Sequence, residues 1–386
     1  MNYLNAILIW FGAAISIAEI LTGTLFAPLG LKTGIIVIIL GHIIGCLLMY
    51  LVGIISTNTK LSTMKSTARS FGKAGGAFFA SLNGIQLIGW TAVMIFSGSQ
   101  AANILLPNIS IRIWSIIIAL LIILWLIVKF KELKIFPIII ISLLFILSII
   151  ISKTIFKGQS SYTNDSTLSF FSALELAIAM PLSWLPLIGD YTNSKTSNKK
   201  IPLLSSVTYF FASSWMYIIG LGCAIFAKES NFALILLNSN MGIIGILIIV
   251  LSTITTTFLD AFSCGVSFSV FNLNERKVSI ICVLIGLIIS LFWNQNSLES
   301  FLYLISSVFV PMAAIQITDY FLFKKDVQKD QINYSNIIIF IIGFILYRLF
   351  LTSDFFLGIS IPTIIITSLL VIIYNTLLKK GLKNDN

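Results

Sequence analysis

Apolar runs of about twenty residues, separated by short polar joints, repeat along the whole chain. Twelve such stretches can be drawn, over residues 4–27, 35–56, 76–105, 111–130, 135–153, 168–190, 203–227, 241–271, 278–294, 298–322, 336–351 and 357–378. A helix of about 20 apolar residues crosses a bilayer core of about 30 Å. The pattern therefore predicts an all-α integral membrane protein with about 12 transmembrane helices. The stretches at 278–294 and 336–351 are short for a span and are expected to be shifted or tilted. Between spans, 57–74 (TNTKLSTMKSTARSFGKA) reads as a short amphipathic helix at the inner surface, and 153–167 as an ordinary external loop.

Composition agrees with this pattern. The chain is 58% hydrophobic and only 10% charged, whereas soluble domains carry about 25% charged residues. The net charge of +10 would suggest nucleic acid in a soluble protein; here the orientation rule for loop lysines and arginines explains it. With the N terminus inside, the inner side receives Lys60, Lys65, Arg69 and Lys73, then Lys129, Lys131 and Lys134, then Lys195, Lys199 and Lys200. It also receives Arg276, Lys277, Lys324, Lys325, Lys329, Lys379, Lys380 and Lys383, while the outer side keeps Lys32, Arg112, Lys153, Lys157, Lys228 and Arg348. That three-to-one bias favours both termini in the cytoplasm of a multi-pass protein of the cell membrane. The opening MNYLNAILIWFGAA has no basic leader and no small-residue cleavage site, so it is read as the first span. Cys46, Cys223, Cys264 and Cys282 stand singly in separate apolar runs, which fits small buried hydrophobes rather than disulfides or a zinc site.

Polar residues inside the spans carry the chemistry. Secondary transporters built from inverted repeats hold substrate where one helix of each repeat breaks. Spans one and six both carry break signals: Gly12, Gly23 and Pro28 in WFGAAISIAEILTGTLFAPLG, with Glu19 in the middle, and Pro181 and Pro186 flanking Ser183-Trp184 in LELAIAMPLSWLPLIGDYT. Spans three and eight, also five apart, carry polar stripes. Asn83, Gln86, Trp90 and Ser97 share one helical face, as do Thr253, Thr256, Thr257, Asp260, Ser263 and Ser267. Such stripes must face the bundle interior. Adjacent Thr256 and Thr257, with the Thr253 carbonyl one turn earlier, are hard oxygen ligands suited to a small cation. Carbonyls freed around Ala14 to Ile17 could complete the set. Thr255, off the stripe, is expected only to bond its own helix.

Other ionisable and aromatic residues have plainer readings. Glu175 would serve packing or an internal pair, and Asp190 and Asp319 would pair with loop lysines. His42 is expected to be a hydrogen-bonded core residue. Interfacial anchoring is expected for Trp10, Trp114 and Trp125.

Four motifs in register, FGAAISIAEILTGTLFAPLG, LIGWTAVM, MPLSWLPLIGDYT and TITTTFLDAFSCGVS, resemble the nucleobase:cation symporter-1 family. The resemblance is strongest to its CytX-type branch of hydroxymethylpyrimidine transporters, and more distant to its cytosine permeases. It implies a LeuT-like fold of two inverted five-helix repeats, about 4–153 and 168–322, plus C-terminal helices at about 336–378 in one transporter domain. It implies a substrate ring held by Trp90 and Gln86, by Ser183 and Trp184, and by Asp260. Glu19, acidic where cytosine permeases are not, joins that set. Sodium would lie on the first-span carbonyls of Ala14 and Ile17, with Thr253, Thr256 and Thr257.

The function implied is cation-coupled import of a pyrimidine thiamine precursor, hydroxymethylpyrimidine or a close aminopyrimidine. The coupling ion would be sodium or a proton, with no other cofactor. The remaining alternatives are a cytosine or purine permease and, remotely, a channel, although no ring of like charges or filter repeat is visible. One histidine and scattered cysteines supply no nucleophile–base pair, so an enzyme is not expected. The expected partners are the small-molecule substrate and membrane lipid, not nucleic acid, for a protein acting as a monomer.

Overall fold

A computed structural model describes residues 3–128, 135–157, 168–192, 198–227, 234, 242–294, 297–352 and 358–384. Among them all regular structure is helical, and each of the twelve expected spans coincides with a helical segment. Seven segments are long and apolar enough to cross a membrane, and a bent pair at the N terminus makes an eighth. Three shorter apolar helices lie at Ile111–Ile127, Ile138–Lys153 and Tyr334–Phe350. Most of the expected external loop, from residue 158 to 167, lies outside the described residues.

The first span is two helices, α1 (Tyr3–Ala14) and α2 (Ile17–Thr24), bent by 47° at Ile15-Ser16. Ser16 is extended, and its hydroxyl caps the new helix at the Glu19 N–H. Serine suits such a position because its oxygen can accept from an otherwise unpaired helix-start donor. α3 (Gly30–Thr59) follows and ends at Lys60 in the left-handed region. α4 (Thr63–Leu105) carries a kink at Gly72, whose φ of +78° a residue with a side chain would resist.

Its first part, Thr63–Phe71, is the helix expected in the 57–74 loop, but it is not a surface helix. Thr63, Met64, Ser66, Thr67, Ser70 and Phe71 are buried. The Thr63 hydroxyl accepts from the Gly189 N–H at 2.8 Å, and Gln316 donates to Ser66 at 2.8 Å. Arg69 pairs with Asp326 at 2.9 Å.

The remaining segments are α5 (Ile111–Ile127), α6 (Ile135–Ile155), α7 (Phe170–Trp184) and α8 (Ile188–Thr192). Then come α9 (Lys200–Gly222), α10 (Gly242–Phe268), α11 (Glu275–Ser290), α12 (Leu298–Thr318), α13 (Tyr334–Phe350) and α14 (Ser360–Asn384). The sixth span does not unwind as its two prolines suggest. Pro181 is accommodated inside α7, and Pro186 lies in a single 3₁₀ turn, Leu185–Leu187, that joins α7 to α8. A proline near the start of a turn loses no needed donor, so the span changes pitch instead of breaking.

Packing sorts the core helices into two groups. α1, α2, α3, α7 and α9 pack mainly on one another; α4, α5, α10 and α11 form the second group. Glycines permit the tightest crossings. A Cβ on Gly220 of α9 would stand 2.0 Å from the Ile20 carbonyl oxygen, and one on Gly23 of α2 would stand 2.3 Å from that of Tyr217. Small residues at facing positions let membrane helices approach to backbone contact.

The last two spans are tied to α7 by Glu175. Its carboxylate accepts from the Tyr347 hydroxyl at 2.6 Å, and from the Ser360 N–H and hydroxyl at 2.7 and 2.6 Å. This is the internal partner expected for Glu175. Asp319 differs from expectation: it accepts from Asn336 at 2.6 Å and Asn375 at 3.2 Å rather than from a lysine. Two amides hold the carboxylate directly, and Lys325 reaches it only through Asn375, whose Oδ1 accepts from Lys325 Nζ at 3.2 Å. Asp190 likewise shows no ion pair among the described residues. The four cysteines are free and buried, as expected.

Candidate functional site

The bend at Ile15-Ser16 lies midway through the bundle, where the two helix groups meet. A small cavity there is lined by Ser16, Ala18 and Glu19 from the first span and by Trp90 and Met94 from α4. Met180 and Trp184 of α7 and Thr256 and Asp260 of α10 complete the wall. The space open to the centre of a water is about 10 Å³, enough for about one water molecule. Pockets that hold a small ligand run to several hundred cubic ångströms, so this is a closed site.

Each sequence-based candidate has a definite place. Glu19, Trp90, Trp184, Thr256 and Asp260 stand together on the wall. Gln86 and Ser183 lie just behind it, joined by a 2.9 Å hydrogen bond from Gln86 Nε2 to the Ser183 carbonyl. Ala14 and Ile17 flank the bend, as the last residue of α1 and the first of α2. The carbonyl between them, on Ile15, accepts from the Ser252 hydroxyl at 3.4 Å, tying the first span to α10.

The threonines separate by hydrogen bonding. Thr253, Thr255 and Thr257 each donate to a carbonyl one turn earlier, on Ile249, Ser252 and Thr253, at 2.9, 2.9 and 2.6 Å. Thr256 is buried, and its Oγ1 has no partner among the described residues. A buried hydroxyl without a partner is costly and marks a position that a ligand or ion can satisfy. Thr257 spends only its proton on Thr253, so its oxygen keeps lone pairs.

The two carboxylates on the wall differ in the same way. Glu19 has both oxygens engaged: Oε1 accepts from the Tyr209 hydroxyl at 2.6 Å and Oε2 from Ser213 at 2.8 Å. Ser213 also meets His42 Nε2 at 2.7 Å, while His42 Nδ1 bonds the Ile38 carbonyl at 2.9 Å, the core role expected of His42. Asp260, also buried, makes no side-chain hydrogen bond among the described residues.

Aromatic rings enclose the cavity on both sides. Trp90 meets Phe301 edge-on at 5.4 Å, and Phe301 meets Trp293 at 5.8 Å. Trp184 packs on Trp10 at 6.0 Å and on Tyr209 at 6.2 Å. Trp10 also touches Tyr191, at 6.0 Å. Trp10 is therefore wholly buried and not an interfacial anchor. Its place in the chain near the start of a span gave no sign of this, because burial of its ring depends on α7, α8 and α9. Other residues escaped the sequence reading. Ser16 had a legible signal, a small polar residue inside an apolar run. Met94 and Met180 had none, since an apolar wall and an apolar core look alike in sequence.

A family described as permeases for cytosine/purines, uracil, thiamine and allantoin matches residues 1–369. No curated protein matches the chain. Among solved structures, the chain is similar to Mhp1, a nucleobase-cation-symport-1 family transporter, in a closed conformation with bromovinylhydantoin bound. The TM-score is 0.83 at 16% identity, covering 99% of this chain and 93% of that one. The inward-facing conformation of Mhp1 gives a TM-score of 0.78 at 16% identity, over 97% and 90% of the two chains. A substrate-bound, outward-open Na⁺-coupled sialic acid symporter gives 0.68 at 16% identity, over 97% and 88%. The fold is thus the LeuT-like arrangement.

Proposed function

This chain belongs to the family of permeases for cytosine/purines, uracil, thiamine and allantoin, a multi-pass transporter and not an enzyme, and from that premise we propose that it imports an aminopyrimidine together with a cation. The substrate proposed is 4-amino-5-hydroxymethyl-2-methylpyrimidine or a near relative, carried by alternating access across the cell membrane with both termini in the cytoplasm. The repeats would cover about 4–153 and 168–322, with accessory helices at about 336–378.

One observation carries the substrate class: Asp260, a buried carboxylate with no hydrogen-bond partner among the described residues, faces a cavity walled by Trp90 and Trp184. Indole faces suit a flat heteroaromatic ring. A free carboxylate suits an edge with N–H donors, and more so a protonated one, because charge-assisted hydrogen bonds are about twice as strong as neutral ones. Among the described residues no basic side chain lines the cavity, which weighs against an anionic ligand. Glu19 completes the wall, and its engaged oxygens favour a role in shaping the site.

For the cation, the unpartnered Thr256 hydroxyl fits sodium, with the Thr257 oxygen and the carbonyls of Ala14, Ile17 and Thr253 as the remaining candidates. An ion bound between the first-span bend and α10 would favour the arrangement in which the substrate wall is assembled. Coupling then follows as reciprocal linkage between two binding events.

The deciding experiment measures thermal stabilisation of the purified protein by a panel of pyrimidines, purines and hydantoins in sodium and in potassium. Stabilisation by the aminopyrimidine, larger in sodium, is expected. Preference for a purine or hydantoin would overturn the substrate assignment. Indifference to sodium, with pH-driven uptake, would replace sodium by a proton.

A further inference from the structure

Gln86 lies at one end of a chain of hydrogen bonds whose direction is fixed. Its Nε2 lies 2.9 Å from the Ser183 carbonyl. A carbonyl can only accept, so the amide must present nitrogen there. The second Nε2 proton goes to Asn83 Oδ1 at 2.7 Å. Asn83 is thereby oriented, and its Nδ2 donates to Ser267 Oγ at 2.7 Å. Ser267 passes its own proton to the Ser263 carbonyl at 2.9 Å. The chain begins and ends on backbone carbonyls, and its side chains are buried. No amide in it can turn over without setting two acceptors or two donors face to face.

The consequence falls on Gln86. Both its protons are committed, and its Oε1 is buried without a partner among the described residues. Gln86 stands one turn before Trp90 on the same face of α4. The closed cavity holds about one water, so a bound ring needs a wall that extends beyond the present lining, and Gln86 is the next polar group along that face. We propose that Asn83 and Ser267 act as positioning residues that make Gln86 an acceptor only, so that with Asp260 the site selects rings by their N–H donors and rejects rings with a carbonyl at the same edge. An exocyclic amine brings two protons to such a site; a carbonyl brings lone pairs against acceptors. This rests on the pyrimidine reading above but not on which pyrimidine is carried.

The test compares ring pairs differing only at that edge: 4-amino-5-hydroxymethyl-2-methylpyrimidine against its 4-oxo counterpart, and cytosine against uracil. Binding is read by titration on the purified full-length protein. The native protein is expected to favour the amino member of whichever pair it binds by about tenfold or more, as loss of one good hydrogen bond implies. Asn83→Leu frees one Gln86 proton and is expected to reduce that preference about tenfold. Asn83→Asp keeps the acceptor for Gln86 and should keep the preference. A merely structural role would weaken both members together and leave their ratio unchanged, which would overturn the proposal. If Asn83→Leu does not fold, Asn83→Ala removes the same acceptor from Gln86 Nε2 and carries the same comparison. Preference for the oxo member overturns the inference while leaving a pyrimidine carrier in place. Binding of neither pair overturns both readings.

Discussion

The Tyr209 hydroxyl donates a 2.6 Å hydrogen bond to Glu19 Oε1, joining the half-helix beyond the bend to α9. With Ser213 on the other oxygen and His42 behind it, α2, α3 and α9 are tied through one buried carboxylate. Tyr209→Phe leaves that oxygen unpartnered in a buried site. The expected loss is about 1–3 kcal/mol of stability, read as a fall in the melting temperature of the detergent-solubilised protein. Ring packing against Trp10 and Trp184 survives in the variant, so the loss reports the hydrogen bond alone.

Asp260→Asn should separate binding from folding. The carboxylate makes no side-chain hydrogen bond among the described residues, so the near-isosteric amide breaks none and the melting temperature should change little. Aminopyrimidine affinity is expected to fall about tenfold to a hundredfold, the range of a hydrogen bond to a charged group. Titration of the ligand alongside a thermal scan checks both. Undiminished affinity would remove Asp260 from the substrate contacts.

Thr256 and its neighbours predict a graded response to sodium. Thr256→Val removes the unpartnered hydroxyl at nearly constant shape, and should raise the sodium needed for half-maximal uptake by about tenfold or more. Thr257→Ala should raise it less, because that hydroxyl already serves Thr253. Thr255→Val should not change it, since Thr255 only bonds back to Ser252. Uptake against sodium concentration orders the three, and equal responses would argue against a site at Thr256.

The crossing of α2 and α9 predicts a coupled defect. A Cβ at Gly220 would stand 2.0 Å from the Ile20 carbonyl oxygen and 3.0 Å from Gly23 Cα. Both contacts are with backbone, so no side chain can move aside. Gly220→Ala must push α2 away from α9, at about 1–3 kcal/mol or more. The same displacement lengthens the Tyr209–Glu19 contact, so Gly220→Ala and Tyr209→Phe should combine to less than their sum, as groups sharing one interaction do.

What was legible in the sequence follows from what lipid demands. Apolar runs with few charges show themselves because a bilayer tolerates little else, and the twelve segments emerged that way. The bend at Ile15-Ser16 and the wall residues Glu19, Trp90, Trp184, Thr256 and Asp260 were legible for the same reason: polar groups inside a span need an interior to face. Which groups are free was not legible. Thr256 and Thr257 are adjacent and chemically identical, and only the hydrogen-bond pattern of α10 distinguishes them. Glu19 and Asp260 are likewise two carboxylates in similar apolar settings, and only the approach of Tyr209 and Ser213 from α9 commits one of them. The 63–71 helix looked amphipathic because its serines and threonines counted as solvent-facing, yet they bond α8, α12 and the 326–333 segment. Pro181 misled in the opposite direction, since membrane helices absorb prolines when neighbours pack around them.

Tyr191 offers a test of how the site opens. Its hydroxyl lies 3.1 Å from Ser263 Oγ and 3.4 Å from the Leu259 carbonyl, linking α8, which packs on α3 and α9 of the first group, to α10 of the second. Its ring rests on Trp10 and Phe262, on the side of the cavity toward the N terminus. The other hydrogen bonds between the groups include Gly189 to Thr63, Gln86 to Ser183 and Ser252 to Ile15. If the two groups move apart on that side to release substrate, the Tyr191 contact must break together with the Gly189–Thr63 bond beside it on α8, while those of Gln86 and Ser252 near the cavity need not. Tyr191→Phe removes the hydrogen bond and keeps the ring packing. A contact worth about 1 kcal/mol would shift the balance toward the open form about fivefold. Backbone hydrogen exchange should accelerate in 188–192 and 259–263 but not in 83–90. Uniform acceleration along the chain would instead mean general destabilisation, and no change would mean that Tyr191 does not hold the site closed.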